Sequence, residues 1–289
     1  MIVASYLFHL RARNFSAHTI KVAKDYLTPF VASYDPLTAT KRDIEQYLVQ
    51  LSERCKPSTV WTAWRHMKGL FGYLFAEGDI DVNPMSGVSK PIVPPVEVKV
   101  LTAQQVHQLL ATCKGKQLAA RRDHAILTMM IDTGLRLSEI TSLTISDISE
   151  NQTIRIFGKG RKWRTVALGQ MSSTALTRWL RVHPHTTESL WVGTQGPLTA
   201  IGIRKMIGRR GNQAGMPLHP HQLRHTFVDN WLRNGGAEVD LARLCGWTST
   251  RMAERYAQHQ ADERAVTAHK TIAPLDRLST SSNKSHFSY

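Results

Sequence analysis

The stretch LHPHQLRHTF at residues 218–227 places His221, Arg224 and His225 on the first turns of a predicted helix. Pro220 favours a helix start at this point, because the N–H that proline lacks would have no intrahelical partner there. Side chains of positive or near-positive character on neighbouring turns repel one another. A buried anion would offset that repulsion, so the stretch predicts an anion-binding site on a helix.

The charge of the whole chain indicates the kind of anion. The 289 residues include 37 Lys and Arg against 22 Asp and Glu, a formal net charge of +15. An excess this large attracts polyanions, and DNA or RNA is the usual partner. A basic surface kept for solubility is the alternative. The 42% apolar content predicts a folded chain rather than a disordered one, and we favour nucleic acid as the partner.

The cysteines and the apolar runs indicate the compartment. Cys55, Cys113 and Cys245 have no short spacing, which argues against a disulfide framework and a zinc pattern and suits a reducing environment. The first residues, MIVASYLFHLRARNF, have no basic region before the apolar stretch and predict a helix rather than a signal peptide. Because no apolar run approaches a membrane span, we expect a cytoplasmic protein without a membrane partner.

Hydrophobic periodicity predicts a mainly α chain with a small β-sheet, an α+β fold. The segment SKPIVPPVEVKV (89–100) has three prolines and no helical pattern, which indicates a linker. We therefore expect a helical domain at 1–88, a second domain at 101–272 and a polar tail at 273–289. Residues 1–90 carry a net charge of +3 and residues 91–289 a net charge of +12, so most of the charge lies after the linker.

The second domain is predicted to contain one hairpin among helices. TIRIF (153–157) and WRTVAL (163–168) alternate as strands do, and the basic turn GKGRK joins them. Predicted helices follow the hairpin at about 171–182, 199–210, 220–233, 237–245 and 249–260.

Five short segments in this domain carry side chains suited to one reaction. They are TGLRLSEI (133–140), GKG (158–160), HQLRH (221–225), LCGWTS (244–249) and RMAERYAQH (251–259). The candidate residues that they supply are Arg136, Lys159, His221, Arg224, Trp247 and Tyr256.

With these motifs the chain resembles the tyrosine recombinase (phage integrase) family, in its two-domain form. The N-terminal segments SAHTIKVAKDYLTPF and PSTVWTAWRHMKGLFGYLFAEGDIDVNP also resemble the core-binding domain of the family. The resemblance extends over roughly residues 1–270. It implies an N-terminal helical bundle that binds DNA and a catalytic domain in which the six candidate residues form the active site.

The residue types fit the chemistry that the resemblance implies. A tyrosine hydroxyl that attacks a DNA phosphodiester creates a transition state with extra negative charge, which fixed donors stabilise. Arg136 and Arg224 can each hold two phosphate oxygens with a planar guanidinium. Trp247 offers one N–H, and His221 can donate to the phosphate or help to take the tyrosine proton. We favour Lys159 over Lys162 as the donor to the leaving 5′ oxygen.

The resemblance also implies the course of the reaction and the assembly. Tyr256 would form a 3′-phosphotyrosyl link, and two rounds of strand exchange would pass through a Holliday junction. Neither a cofactor nor a metal is implied, because the covalent link stores the bond energy. Four protomers would act on two double-stranded recombination sites, with possible accessory proteins, and the tail would pack onto a neighbouring protomer.

Several alternatives stay open from the sequence. A type IB topoisomerase or a telomere resolvase shares the tyrosine chemistry, and a catalytically silent DNA-binding protein could share the fold. Tyr289 is a rival nucleophile without the GW context, and the His-rich stretch lacks the glutamate of a zincin motif. We interpret His225 as a structural partner of its neighbours, and Glu139 as a residue that orients basic side chains. The segment IRKMIGRRG (203–211), with its four cationic side chains, is a candidate for the DNA major groove.

Overall fold

The computed structural model describes residues 1–94, 98–158, 162–259, 265–266, 269–270, 273 and 275. Lys159 and nearly all of the tail predicted at 273–289 therefore lie outside the described residues. The chain divides into two units, Met1–Glu97 and Val98–Tyr289. The division falls inside the stretch 89–100 that the prolines mark. The predicted class, mainly α with a small β-sheet, is confirmed.

The first unit is built from four helices around one aromatic core. They are α1 (Ile2–Ala12), α2 (Ala17–Ser33), α3 (Lys41–Arg54) and α4 (Pro57–Glu77). Phe30 of α2 lies at the centre, edge-on to Phe71 of α4 and Tyr47 of α3 with ring centroids 5.8 and 5.2 Å apart. A capping box between Thr40 and Asp43 starts α3.

The second unit contains eight helices and two short hairpins among its described residues. The helices are α5 (Ala103–Ala111), α6 (Leu118–Thr133), α7 (Leu137–Ser142), α8 (Gln170–Leu180), α9 (Ala200–Gln213), α10 (Pro220–Arg233), α11 (Glu238–Cys245) and α12 (Arg251–His259). The predicted hairpin pairs β1 (Thr153–Phe157) with β2 (Trp163–Ala167) in antiparallel register. A second hairpin, β3 (Val192–Gly193) with β4 (Gly196–Pro197), was not predicted, because two-residue strands leave no alternation to detect.

Helix α6 runs through the centre of the second unit and packs against α8 and α10. Its apolar side chains are buried around most of the circumference, and Ile126, Leu127 and Met130 have no exposed surface. Two indoles tie loops to this core, since Trp191 donates to the carbonyl of Ile140 at 2.7 Å and Trp179 to that of Leu190 at 2.8 Å. No helix in the described part of the chain is long and apolar enough to cross a bilayer.

Two glycines end helices at the place where the site forms. Gly134 follows α6 with φ of +61°, and Gly246 follows α11 with φ of +59°, a conformation that glycine adopts without steric cost. A Cβ on Gly134 would lie 2.3 Å from the Phe227 ring, so this turn also requires close approach to α10. Both helices therefore stop abruptly and present their last carbonyl groups to neighbouring side chains.

A buried carboxylate binds part of the basic helix α9. Only some of the cationic side chains of this helix are therefore exposed. Asp123 of α6 is fully buried and accepts hydrogen bonds from Arg122, Arg209 and Arg210 at 2.7 to 3.1 Å. The Arg210 side chain is only 11% exposed, so the expectation that it belongs to a DNA-facing surface was wrong. Arg204 and Lys205, one to two turns earlier, remain exposed.

We predict that Asp123→Asn destabilises the second unit by about 3 to 5 kcal/mol, because it leaves buried guanidinium groups without their counter-charge. The measurement is urea unfolding followed by tryptophan emission. Glu188→Gln, which neutralises an exposed carboxylate of the same unit, is the matched control and should change the free energy of unfolding by less than about 0.5 kcal/mol. Equal effects of the two variants would contradict the importance of the Asp123 cluster.

Candidate active site

Three arginines from distant parts of the second unit converge on the C-terminal end of α11. Arg164 donates to the carbonyl of Leu244 at 2.8 Å, Arg224 to that of Cys245 at 2.8 Å and Arg136 to that of Gly246 at 3.3 Å. The last carbonyls of a helix have no intrahelical partner and carry its negative dipole end, so they favour cations. Arg224 also donates to the carbonyl of Gly134 at 2.6 Å, which joins the ends of α6 and α11.

Among the described residues, Glu139 is the carboxylate that pairs with two of these arginines. Its side chain is 3% exposed and accepts from the Arg136 guanidinium at 2.8 Å and from Arg164 through two bonds of 2.8 and 2.9 Å. Burial alone would raise the pKa of Glu139, but the hydrogen bonds from Arg164 and Arg136 outweigh it and lower the pKa to about 2. Glu139 is therefore ionised at neutral pH and orients its basic neighbours, as expected from the sequence.

Arg164 was not among the residues predicted from the sequence. It lies on β2, in the same side-chain register as the buried Val166, whereas its neighbours Trp163 and Thr165 are exposed. A cation at a core-facing position of a strand requires a buried partner, which here is Glu139. The alternation of WRTVAL therefore indicates that Arg164 faces the core. It does not indicate that Glu139 is the residue with which Arg164 pairs.

The hairpin turn approaches the same cluster. A Cβ added to Gly158 would lie 2.9 Å from the Arg164 guanidinium and 3.6 Å from the Glu139 carboxylate. Lys162, the rival to Lys159, is exposed, and its carbonyl accepts from the N–H of Gly158 at 2.9 Å. The base of the turn therefore lies against the arginine cluster, and Lys159 itself lies outside the described residues.

Trp247 connects the arginines to Tyr256. The Arg224 guanidinium lies over the Trp247 ring, 5.4 Å from the centroid. Trp247 in turn stacks on the Tyr256 ring at 6.2 Å with an interplanar angle of 15°. The structure thus brings Arg136, Arg224, Trp247 and Tyr256, which the sequence had proposed as partners, into one continuous set of contacts.

The two histidines of HQLRH occupy different environments. His221 is exposed, and desolvation by the surrounding atoms together with Arg224 lowers its pKa. His225 is half-buried and forms a hydrogen bond between its Nδ1 and the hydroxyl of Tyr256. Desolvation, reinforced by His221, lowers the pKa of His225 to about 4. His225, which the sequence presented as a structural partner, therefore contacts the candidate nucleophile directly.

Comparisons with known proteins place the chain in a family. A sequence model of the phage integrase family matches residues 99–263. Tyrosine recombinase XerC of Pseudomonas aeruginosa is 30% identical over 257 residues, which cover 84% of each protein. The chain belongs to the phage integrase family of tyrosine recombinases. XerC of Haemophilus influenzae is 31% identical over 207 residues, 68% of this chain and 70% of that protein.

A solved structure shows that the fold is shared as well. The Tn1549 transposon integrase, in complex with transposon right end DNA, matches with a TM-score of 0.78 at 19% identity and covers 94% of this chain and 99% of its own. The predictions of the tyrosine recombinase family and of site-specific recombination are confirmed. The topoisomerase, telomere resolvase and silent DNA-binding alternatives are not favoured.

The geometry of this recombinase suits anion binding without a metal. Arg136, Arg164 and Arg224 contribute three positive charges and Glu139 one negative charge, so the cluster keeps an excess of two positive charges. Burial lowers the pKa of Arg224, and Arg136 lowers it further. An entering phosphate would relieve this mutual repulsion. Within the described residues, no three His, Cys, Asp or Glu side chains are grouped as metal ligands.

We predict that Glu139→Gln destabilises the recombinase by about 3 kcal/mol at pH 7, the order set by a carboxyl pKa lowered from 4.5 to about 2. A carboxyl whose folded pKa is lowered stabilises the fold fully above its unfolded pKa and loses that contribution as the pH falls through its folded pKa. The difference between wild type and Glu139→Gln should therefore shrink between pH 4.5 and pH 2.

Urea unfolding at pH 7, 4 and 3 measures this difference. The control is Glu150→Gln, which changes an exposed carboxylate of the same unit. A difference between wild type and Glu139→Gln that stayed constant from pH 7 to pH 3 would show that the ion pairs with Arg136 and Arg164 do not set the stability of this region.

Proposed function

We propose that this recombinase cuts and rejoins double-stranded DNA through a covalent 3′-phosphotyrosyl link at Tyr256. The observation that carries the proposal is the contact of the Arg224 guanidinium, through the Trp247 ring, with the Tyr256 ring. Arg136 joins Arg224 at the same helix end, where the two guanidinium groups donate to the carbonyls of Gly246 and Cys245. Phosphoryl transfer without a metal requires a nucleophile and fixed positive charges that stabilise the transition state. The Tyr256 hydroxyl and the two guanidinium groups meet these requirements.

Arg136 and Arg224 bind the non-bridging oxygens of the scissile phosphate. Each is already oriented by carbonyl acceptors, so little reorganisation accompanies the build-up of charge in the transition state. The Trp247 indole N–H and the exposed His221 add donors on the same side. Arg164 and Glu139 hold Arg136 in place and do not contact the DNA.

Lys159 protonates the leaving 5′ oxygen. This assignment rests on the family pattern GKG and on the position of Gly158 against the Arg164–Glu139 pair. A lysine side chain has a flexible stem and an ammonium group that can deliver a proton as the 5′ oxygen leaves.

Both units bind the DNA. In the first unit, residues 1–88 act as the core-binding domain, and cations of α4 and the following segment are held over aromatic faces. Arg65 and Lys90 lie 5.3 and 5.6 Å from the Trp61 ring centroid, and Lys68 lies 5.2 Å from that of Trp64. In the catalytic domain, residues 101–272, the exposed Arg204 and Lys205 of α9 are available to the major groove.

Strand exchange requires two cut sites, so the active form is a tetramer on two DNA duplexes that passes through a Holliday junction. The tail from residue 273 packs onto a neighbouring protomer, and accessory proteins determine when exchange occurs. No cofactor is required, because the phosphotyrosyl link conserves the energy of the cleaved bond. The reaction takes place in the cytoplasm, where the DNA is accessible.

We predict that wild-type protein forms a covalent adduct with a nicked duplex site and that Tyr256→Phe forms none. The nick releases the short strand beside the cleavage position, so the 5′ hydroxyl cannot return and the adduct accumulates. The site is selected from random duplex DNA by binding to the full chain, and the adduct is measured on a denaturing gel.

Tyr289→Phe is the matched control for this experiment and should form the adduct at the wild-type rate. Tyr256→Phe should still bind two duplex sites as a tetramer, measured by the mass of the complex. An adduct that persisted in Tyr256→Phe would exclude Tyr256 as the nucleophile.

We predict that Arg224→Lys and Arg136→Lys each slow adduct formation about 10²- to 10³-fold, because lysine keeps the charge but cannot grip two oxygens. The affinity for the site should change by less than about threefold, since many other cations contact the DNA backbone. Affinity is measured by gel shift. Arg178→Lys, at an exposed position on α8, is the control. Weakened binding with normal cleavage of bound DNA would contradict both assignments.

A further inference from the structure

His225 contacts the hydroxyl oxygen of Tyr256. Its Nδ1 atom shares a hydrogen bond with the phenolic hydroxyl, and the two ring centroids lie 5.4 Å apart. His221, one helical turn earlier on α10, stacks on His225 with the ring centroids 6.1 Å apart. His225 therefore has ring contacts with both His221 and the candidate nucleophile.

The surroundings of His225 keep its imidazole neutral. Desolvation lowers its pKa to about 4, and the electrostatic effects of His221, His219 and Arg224, at the start of α10 and just before it, act in the same direction. Among the described side chains of α12, the Tyr256 hydroxyl, an uncharged donor, faces it. A neutral imidazole keeps one ring nitrogen without a proton, so Nδ1 can accept the hydroxyl proton of Tyr256.

His221 is placed for a different task. It is exposed at the start of α10, and its electrostatic neighbours include Arg224, Arg136 and Arg204. Two of these are the arginines assigned to the phosphate, so His221 faces the phosphate rather than the phenol. The sequence left two roles open for His221, as donor to the phosphate and as acceptor of the tyrosine proton. In the structure His221 suits the first role and His225 the second.

We propose that His225 is the proton acceptor of the recombinase, a catalytic role that rests on the proposed function of Tyr256. As the phenolic oxygen forms its bond to phosphorus, the hydroxyl proton passes to Nδ1 of His225, and the bond from phosphorus to the 5′ oxygen breaks. The leaving oxygen takes a proton from Lys159. In rejoining, the 5′ hydroxyl attacks phosphorus and returns its proton to Lys159, while the imidazolium of His225 protonates the departing phenolate.

The developing charges favour this transfer. An imidazolium at His225 forms at the same time as the phosphate group gains negative charge, so the cation is created next to the anion that stabilises it. In the protein without DNA, His225 binds protons weakly, so its Nδ1 remains able to accept the tyrosine proton when DNA binds. The arginines also repel an imidazolium at His225 less strongly once the phosphate has neutralised part of the charge on Arg136 and Arg224.

The deciding experiment uses His225→Gln in the full chain on the selected nicked site. The glutamine amide can accept the hydrogen bond from Tyr256 but cannot take its proton. We expect adduct formation at pH 7 to be slowed about 10²- to 10³-fold. The rate should recover as the pH rises toward the ordinary tyrosine pKa of about 10, because the phenolate needs no acceptor.

The matched control is His124→Gln. His124 is also half-buried with a pKa lowered by desolvation, but it lies on α6 outside the arginine cluster. It should form the adduct at the wild-type rate over the same pH range. Thermal unfolding of both variants shows whether either has lost its fold, and His225→Asn provides a second variant if glutamine does not fit.

The outcomes separate the role of His225 from the proposed function itself. Wild-type cleavage by His225→Gln at pH 7 would reduce His225 to a hydrogen-bond partner and overturn the inference, and so would a slow rate that did not recover at high pH. Absence of the adduct from wild type and His124→Gln alike would overturn the proposed function, and this inference with it.

A second measurement is independent of DNA. In ¹⁵N-histidine-labelled protein, Tyr256→Phe should shift the Nδ1 resonance of His225 and leave that of His124 unchanged. An unmoved His225 resonance would show that the hydrogen bond is absent in solution and would also overturn the inference.

Discussion

The catalytic domain depends on the capture of three guanidinium groups by the C-terminal end of one short helix and one buried carboxylate. The last carbonyls of α11 accept from Arg164, Arg224 and Arg136, and Glu139 binds two of the three. These arginines come from β2, α10 and the turn before α7, so the interaction joins segments more than a hundred residues apart in sequence. Without those acceptors, three cations could not share a partly buried site.

The same arrangement explains why the site is ready to bind an anion. Glu139 neutralises one charge and fixes two side chains, but it leaves the cluster with excess positive charge. A second carboxylate would have reduced the excess from two positive charges to one and weakened the attraction for phosphate. Gly246 is required for a related reason, since a Cβ there would lie 3.2 Å from Arg164 and 3.4 Å from Arg136. At Gly246 the backbone therefore carries no side chain that would obstruct the guanidinium groups.

Local patterns allowed most of the fold to be predicted, and they failed where distant side chains decide the outcome. The hairpin and the helices of both units follow from periodicity and capping, and the motifs around Arg136, Arg224 and Tyr256 are readable in isolation. The burial of Arg210 depends on Asp123, 87 residues earlier, which no local pattern reveals. The contact between His225 and Tyr256 depends likewise on how α12 packs against α10.

The arginines proposed to bind phosphate and the proposed nucleophile are supported by partly different regions of the core. Arg136 and Arg164 belong to segments that pack on the large cluster around α6, which includes Leu135, Ile140 and Val166. Tyr256 belongs instead to a small cluster with Phe227, Leu241 and Ala253. Since the small cluster buries less apolar surface, the free energy needed to displace α12 is lower than that needed to disturb the arginines. A recombinase must hold a phosphate while strands are exchanged and the nucleophile is joined and released. Helix α11 connects these two requirements, because its last carbonyls hold the arginines while Leu241 and Cys245 pack in the small cluster with Tyr256. Arg136 and Arg164 keep their support on the large cluster, and α11 couples the position of Tyr256 to the arginine site.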